Sequence, residues 1–262
     1  MWDTIIVHPM VNVLILIYDL IGNNFGIAII LFTILIRAIT WPLNAQQMKG
    51  AQAMQELQND KAWQDIQKKY AKDKEKLSQE QMRIYKERGI NPFASCLPTL
   101  IQFPVIIGLY QSIIRALAGT PLSLLQLSRS MYTVFPFPSV QNIIPLNSKF
   151  LWMDLGSPES VMVFGYALPT LALVVALTTY AQAKLTMPAS TNPNDQSAAM
   201  SGMMSIYMPL LLGYFALTFA SGLSVYFITS NLLGIAQYAM QGKANWRNLL
   251  PGGSKKPVPS KK

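Results

Sequence analysis

The sequence holds a single cysteine, Cys96, and a single histidine, His8. One cysteine excludes an internal disulfide framework and any CxxC metal or redox centre. One histidine excludes histidine metal clusters and removes most general-base chemistry. Charge is scarce too: Asp, Glu, Lys and Arg make up 13% of the 262 residues, where a soluble domain carries roughly 25%. Acidic residues are the scarcer kind, 12 against 21 basic ones, giving a net charge of +9. What abounds is apolar, with 51% hydrophobic residues and a mean hydropathy of +0.28. Lipid is therefore the expected solvent for much of the chain.

A bilayer core of about 30 Å needs roughly 20 apolar helical residues. Five stretches qualify: 25–43, 93–117, 161–184, 203–220 and 223–240. The last two are too long together for one span, so Ser221-Gly222 reads as a tight turn between antiparallel helices. Prolines 98, 104, 169 and 209 fall inside these segments, where neighbouring helices can satisfy the backbone groups they free; kinks rather than breaks are expected. Residues 1–24 differ. Ile5–Leu20 is apolar but carries His8, Asn12 and Asp19, which share one face at about 100° per residue. That pattern suits an interfacial amphipathic helix outside the cytoplasm, with a short sixth span as the alternative. A cleaved signal peptide is not expected, because no Lys or Arg precedes Arg37.

Positive charge sets the orientation. Segment 44–92 holds Lys49, Lys61, Lys68, Lys69, Lys72, Lys74, Lys76, Arg83, Lys86 and Arg88, and the 241–262 tail adds Lys243, Arg247, Lys255, Lys256, Lys261 and Lys262. With Lys184 these face one side; Arg115, Arg129 and Lys149 face the other. The N-terminus and segment 118–160 then lie outside, and 44–92, the 185–202 loop and the tail lie in the cytoplasm. Within 44–92, Met54, Leu57, Ile66, Tyr70, Leu77, Met82 and Tyr85 recur at near-helical spacing, and Ser78 with Gln81 reads as a capping box opening a second helix. The expectation is a charged helical hairpin, serving as a connector or as a capture arm for a partner. Segment 118–160 carries Phe135, Phe137, Phe150 and Trp152, an interface aromatic pattern without chemistry of its own. The tail lysines suit anionic lipid, ribosomal RNA or a bare topology signal.

One charge stands inside a span. Arg37 lies in Phe32-Thr33-Ile34-Leu35-Ile36-Arg37-Ala38-Ile39-Thr40-Trp41. An arginine at mid-bilayer costs about 2.5–3.5 kcal/mol on insertion scales. Snorkelling past Trp41 would relieve it. No Asp or Glu occurs in any of the five stretches, so no carboxylate partner is available inside the membrane. Thr33, Thr40, Gln102, Tyr180, Gln182, Asn231 and Gln237 are the neutral candidates to surround it. Each alone is commonly interhelical glue; together they suggest a water-filled concavity with an unpaired positive charge, attractive to acidic or polar peptide.

Longer patterns then become recognisable. Gly89-Ile90-Asn91-Pro92, Cys96-Leu97-Pro98, Gln102-Phe103-Pro104 and Tyr110 resemble the signature of the YidC/Oxa/Alb membrane protein insertase family. So do Gly26-Ile27-Ala28-Ile29-Ile30 leading to Arg37 and Trp41-Pro42-Leu43, and Phe150-Leu151-Trp152 with Asp154-Leu155. Met203-Met204, Met208-Pro209 and Gly222-Leu223-Ser224-Val225-Tyr226 with Ser230-Asn231-Leu232 extend the likeness, which covers about residues 20–242.

The resemblance implies an all-α polytopic membrane protein with five transmembrane helices, an N-terminal interfacial helix and a cytoplasmic helical hairpin. Its hydrophilic groove would open to cytoplasm and lipid and close on the outside. Arg37 matches the family's groove arginine; Gln182 and the Tyr226-Phe227 region match positions near the groove and its substrate-contact face. Phe227 stands where relatives often carry tryptophan, and neither the large outer domain of some relatives nor a lipoprotein anchor at Cys96 is expected. The implied activity is non-enzymatic insertion and folding of nascent membrane proteins in the bacterial cytoplasmic membrane, by a monomer, without cofactor or metal. The general secretion translocon and the ribosome are candidate further partners. A channel or small-solute transporter would also want polar intramembrane residues, but should show repeats between halves, and none is found. An intramembrane protease would need a base beside Ser221, and no histidine lies in a span. A membrane-complex assembly scaffold stays open.

Overall fold

A computed structural model describes residues 1–58, 60–70, 73–90, 97–117, 121–132, 146–159, 161–163, 166–186 and 196–241. Cys96, the aromatics at 135 and 137, and the tail beyond Gln241 lie outside these residues. The described chain is mostly helical. A π-helical turn, Asp3–Val7, runs into α1 (His8–Leu20), followed by α2 (Phe25–Ile39), α3 (Trp41–Gln58), α4 (Lys61–Lys69), α5 (Lys74–Glu87), α6 (Leu97–Ala116) and α7 (Pro121–Ser130). Two short hairpins, β1 (Lys149–Phe150) with β2 (Met153–Asp154) and β3 (Val161–Val163) with β4 (Tyr166–Leu168), precede α8 (Thr170–Thr186), α9 (Gln196–Thr218) and α10 (Ser221–Met240).

The short strands leave the expected helical class in place and correct one helix boundary. The helix expected from Val161 begins at Thr170, because 161–163 and 166–168 pair antiparallel, Val161 opposite Leu168; β-branched Val161 and Val163 favour that pairing. Pro169 consequently precedes a helix instead of kinking one. Pro98 sits in the first turn of α6, where its missing N–H costs nothing, and Pro104 and Pro209 are carried inside α6 and α9. Phe219 and Ala220 make the turn before α10, and Ser221 and Gly222 are its first residues. Along their lengths α9 and α10 both pack chiefly on α8, which corrects the idea of a simple α9–α10 hairpin.

Helix α10 is the central element, packed on α8, α2 and α6. Every residue from Ser221 to Phe227 is buried. Gly222 permits this: a Cβ there would lie 3.1 Å from both Ile113 and Ile29 side chains. The main core joins Leu14, Ile15, Phe25, Ile29, Leu109, Ile113, Leu171, Val175 and Leu223. Outward faces remain apolar, with Leu173 and Leu177 on α8 and Ile206, Tyr207, Leu210 and Tyr214 on α9 exposed. A surface of that kind suits hydrocarbon better than water.

Among the described residues, one helix is both long and apolar enough to cross a membrane: Asp3–Leu20, mean hydropathy 1.5. Phe25–Ile39 and Ser205–Thr218 are apolar but shorter. The segment expected to lie along the interface is thus the one that passes the test. The polar content of α10 (Ser221, Ser224, Ser230, Asn231, Gln237) dilutes its hydropathy. Nor do His8, Asn12 and Asp19 form one wet face. Asn12 is 1% exposed; its amide donates to the carbonyls of His8 and Ser130 and its carbonyl accepts from the Tyr132 N–H, tying α1 to α7.

The charged segment α3–α5 builds its own small core from Leu57, Trp63 and Ile84, with the Trp63 and Tyr85 rings 5.2 Å apart. Trp63 and Ile84 were not among the apolar positions read from the pattern, and Met82 is exposed. The capping box is also corrected: α5 starts at Lys74, where the Asp73 carboxylate accepts from the Lys76 N–H, leaving Ser78 inside the helix. Asp60 caps α4 through the Ala62 N–H and pairs with Arg88 at the end of α5.

Candidate functional site

Arg37 occupies the last turn of α2, where the terminal carbonyls favour a cation. Its side chain crosses to α10. Nε donates to Ser230 Oγ at 3.2 Å, and Nη2 donates to Ser230 Oγ at 2.6 Å and to the Ser230 carbonyl at 2.8 Å. The residue stays partly exposed, and among the described residues no carboxylate pairs with it. Nη1 donates to no described residue.

Room for this crossing comes from Gly234, one turn beyond Ser230. A Cβ at Gly234 would stand 2.5 Å from Gln182 Nε2 and 3.7 Å from Arg37 Nη2. The missing side chain therefore lets the Gln182 amide of α8 and the guanidinium of α2 converge on α10. One turn the other way, the buried Tyr226 phenol faces Ser230 and the guanidinium, and Gln102 of α6 donates to its hydroxyl. Tyr226, Ser230 and Gly234 follow at intervals of four, one face of a helix. α2, α6, α8 and α10 thus each deliver a polar group, or the space for one, to the same point.

Other expected residues behave differently. Thr33 and Thr40 close on their own helix, donating to the carbonyls of Ile29 at 2.7 Å and Ile36 at 2.9 Å. Asn231 donates to Thr178 at 3.1 Å and Thr179 at 2.9 Å, binding α10 to α8 as interhelical glue. Tyr180 faces outward with Lys184 Nζ 5.5 Å from its ring centroid, apart from the cluster. Gln237 is buried, and its Nε2 has no hydrogen-bond partner among the described residues. Ser230 and Gly234 were missed as site residues. The four-residue stripe from Tyr226 was the signal that could have found them. Among the described residues no three His, Cys, Asp or Glu side chains converge as a metal site.

Residues 16–246 match the model of a family described as 60Kd inner membrane protein. The membrane protein insertase MisCA of Bacillus subtilis (strain 168) is 34% identical, the alignment covering 97% of this chain and 86% of that protein. The membrane protein insertase YidC of Oceanobacillus iheyensis is 32% identical, with 92% and 84% covered. A crystal structure of an active YidC insertase with its first transmembrane domain resolved superposes with a TM-score of 0.51 at 25% identity, covering 86% of this chain; this chain spans 43% of that one. The chain belongs to the YidC/Oxa/Alb family of membrane protein insertases.

Proposed function

We propose that this protein inserts nascent membrane proteins through a hydrophilic groove open to the cytoplasm and to lipid, with Arg37 drawing in their polar or acidic segments. The relatives carry the insertase name; the groove reading rests on Arg37, which among the described residues is held by Ser230 and free of any carboxylate. A cation satisfied by neutral groups keeps its full charge for an acidic tail. Nη1, which donates to no described residue, is a donor left over for a passing peptide backbone.

In this reading α2, α6, α8, α9 and α10 span the bacterial cytoplasmic membrane, with the N-terminus outside and the C-terminus cytoplasmic. The hairpin α3–α5 meets the nascent chain. The polar tail enters the groove beside Arg37, Gln102, Gln182 and Tyr226, and the apolar substrate helix leaves along α8 and α10, driven by apolar burial. Helix α2, at 15 residues, is about 22 Å long at 1.5 Å per residue, so local thinning of the bilayer lowers the barrier further. The process moves a polypeptide between phases, makes no covalent bond and needs no cofactor; a membrane potential acting on charged tails adds to it. One copy suffices, with lipid and the nascent chain as partners; the translocon and ribosome are further ones.

The test is crosslinking from a photoreactive residue at position 37 or 182 to a ribosome-stalled single-span chain. Adducts to the polar tail are expected from both positions. Adducts confined to lipid would count against the groove.

A further inference from the structure

The loop 146–159 lies over one end of the helices and is stitched to four of them in different ways, to α1 by the Asn147 N–H donating to the Tyr18 hydroxyl at 2.9 Å. To α2 it is held by packing: the Phe150 ring lies on Gly26, where a Cβ would come within 2.1 Å of a ring carbon. To α10 it is held by backbone carbonyls, Leu155 accepting from the Gly222 N–H at 3.0 Å and Ser157 from the Ser221 N–H at 2.9 Å. To α8 it is held by one side chain. Glu159 Oε2 accepts from the Leu171 N–H at 2.8 Å, and Oε1 accepts from Thr170 Oγ1 and from Trp152 Nε1, the latter at 2.9 Å. Burial opposes the charged carboxylate, yet these three donors outweigh it and hold its pKa below the usual range.

Trp152 is the other half of this contact. It stands in the two-residue turn between β1 and β2, beside Leu151 at φ +54°, a left-handed conformation that costs a non-glycine residue about 1 kcal/mol. Two strands of two residues have little stability of their own, so the indole position depends on what it touches. Its ring lines an apolar hollow of about 630 Å³ between α8 and α10, together with Ile30, Leu171, Val174, Val225 and Ile228.

We infer that Glu159 is a positioning residue for insertion: its carboxylate clasps Trp152 to the first turn of α8 and so sets the width of the hollow between α8 and α10 at its loop-covered end. α2 and α10 hold the loop through several separate contacts: the Phe150 ring on Gly26, two backbone bonds and Ser221 Oγ donating to the Ser157 carbonyl at 2.7 Å. Among the described residues the bonds to α8 all meet at one carboxylate, so a single substitution at Glu159 loosens that attachment. The inference rests on the reading that substrate helices leave along α8 and α10. Glu159→Gln cannot accept at both oxygens, and an amide turned toward Leu171 would oppose one N–H to another.

The test uses the full chain with Cys96→Ser and spin labels at Lys149→Cys and Leu177→Cys, both exposed positions. Glu159→Gln and Trp152→Phe should each broaden the interlabel distance distribution. In liposomes each should lower insertion of a single-span substrate about threefold to tenfold, and the double variant should lose no more than the worse single one. A second label pair on Leu177 and Tyr207, across α8 and α9, should stay unchanged and show that the bundle is folded. An unbroadened distribution in Glu159→Gln overturns the clasp, and broadening with undiminished insertion overturns the positioning role. A parent chain that inserts nothing overturns the underlying function instead, while the label distances still read the clasp without substrate.

Discussion

At Arg37 the question is how a charge persists among apolar helices without an ionic partner among the described residues. Ser230 offers a hydroxyl and a helix carbonyl, and bonds to a charged donor are worth about 1.5–3 kcal/mol each, the same order as the cost of the buried cation. Ser230→Ala keeps the carbonyl bond at 2.8 Å and removes the hydroxyl. Its insertion rate should fall severalfold less than that of Arg37→Ala, measured side by side in vesicles. Gly234 discriminates by size. Alanine displaces only the mobile end of Gln182, so Gly234→Ala should insert within about twofold of the parent; Gly234→Leu reaches the guanidinium and should approach the loss seen for Arg37→Ala. Equal rates for all three would mean that the convergence on α10 is irrelevant.

Among the elements, the hairpin lends itself to a test by pH. Asp73 is held below the ordinary carboxylate range chiefly by the Lys76 N–H, and Asp60 by the Ala62 N–H and then by Arg88. A pKa lowered on folding contributes stability that is complete above the unfolded value and is lost as pH falls through the folded one. Amide exchange over residues 74–77, corrected for intrinsic rates, should therefore accelerate as pH drops through the carboxylate range, and Asp73→Ala should show the fast rate already at neutral pH. Exchange indifferent to both would refute the cap. The same element shows what sequence reading reaches. Charge and period revealed a helical hairpin, but Asp73 and Ser78 are both good caps by type, and it is the Lys76 N–H bond to the Asp73 carboxylate that marks where α5 begins. Likewise 161–168 is apolar enough to extend a span, and pairing across 164–165 wins locally over helix.

For the whole molecule, scarcity of charge and the position of Arg37 made a lipid-embedded helical protein legible, and the motif order made the family legible. Site membership was less so. Thr33, Thr40, Asn231 and Tyr180 share the polar character of Gln102 and Gln182, and sequence cannot tell which hydroxyl closes on its own helix and which amide crosses to another. A glycine carries no polar signal at all, which is why Gly234 was invisible. The shortness of α2 has a molecular consequence: insertion should be faster in bilayers of 14-carbon than of 18-carbon lipids, and equal rates would remove thinning from the mechanism. The most direct measurement compares one single-span substrate bearing an acidic or a neutral tail, inserted into liposomes by the parent, Arg37→Ala and Arg37→Glu. The expected result is a parent preference for the acidic tail that Arg37→Ala abolishes, at about tenfold or roughly 1.4 kcal/mol, and that Arg37→Glu reverses. Identical insertion of both tails by all three proteins would contradict the role of the cation.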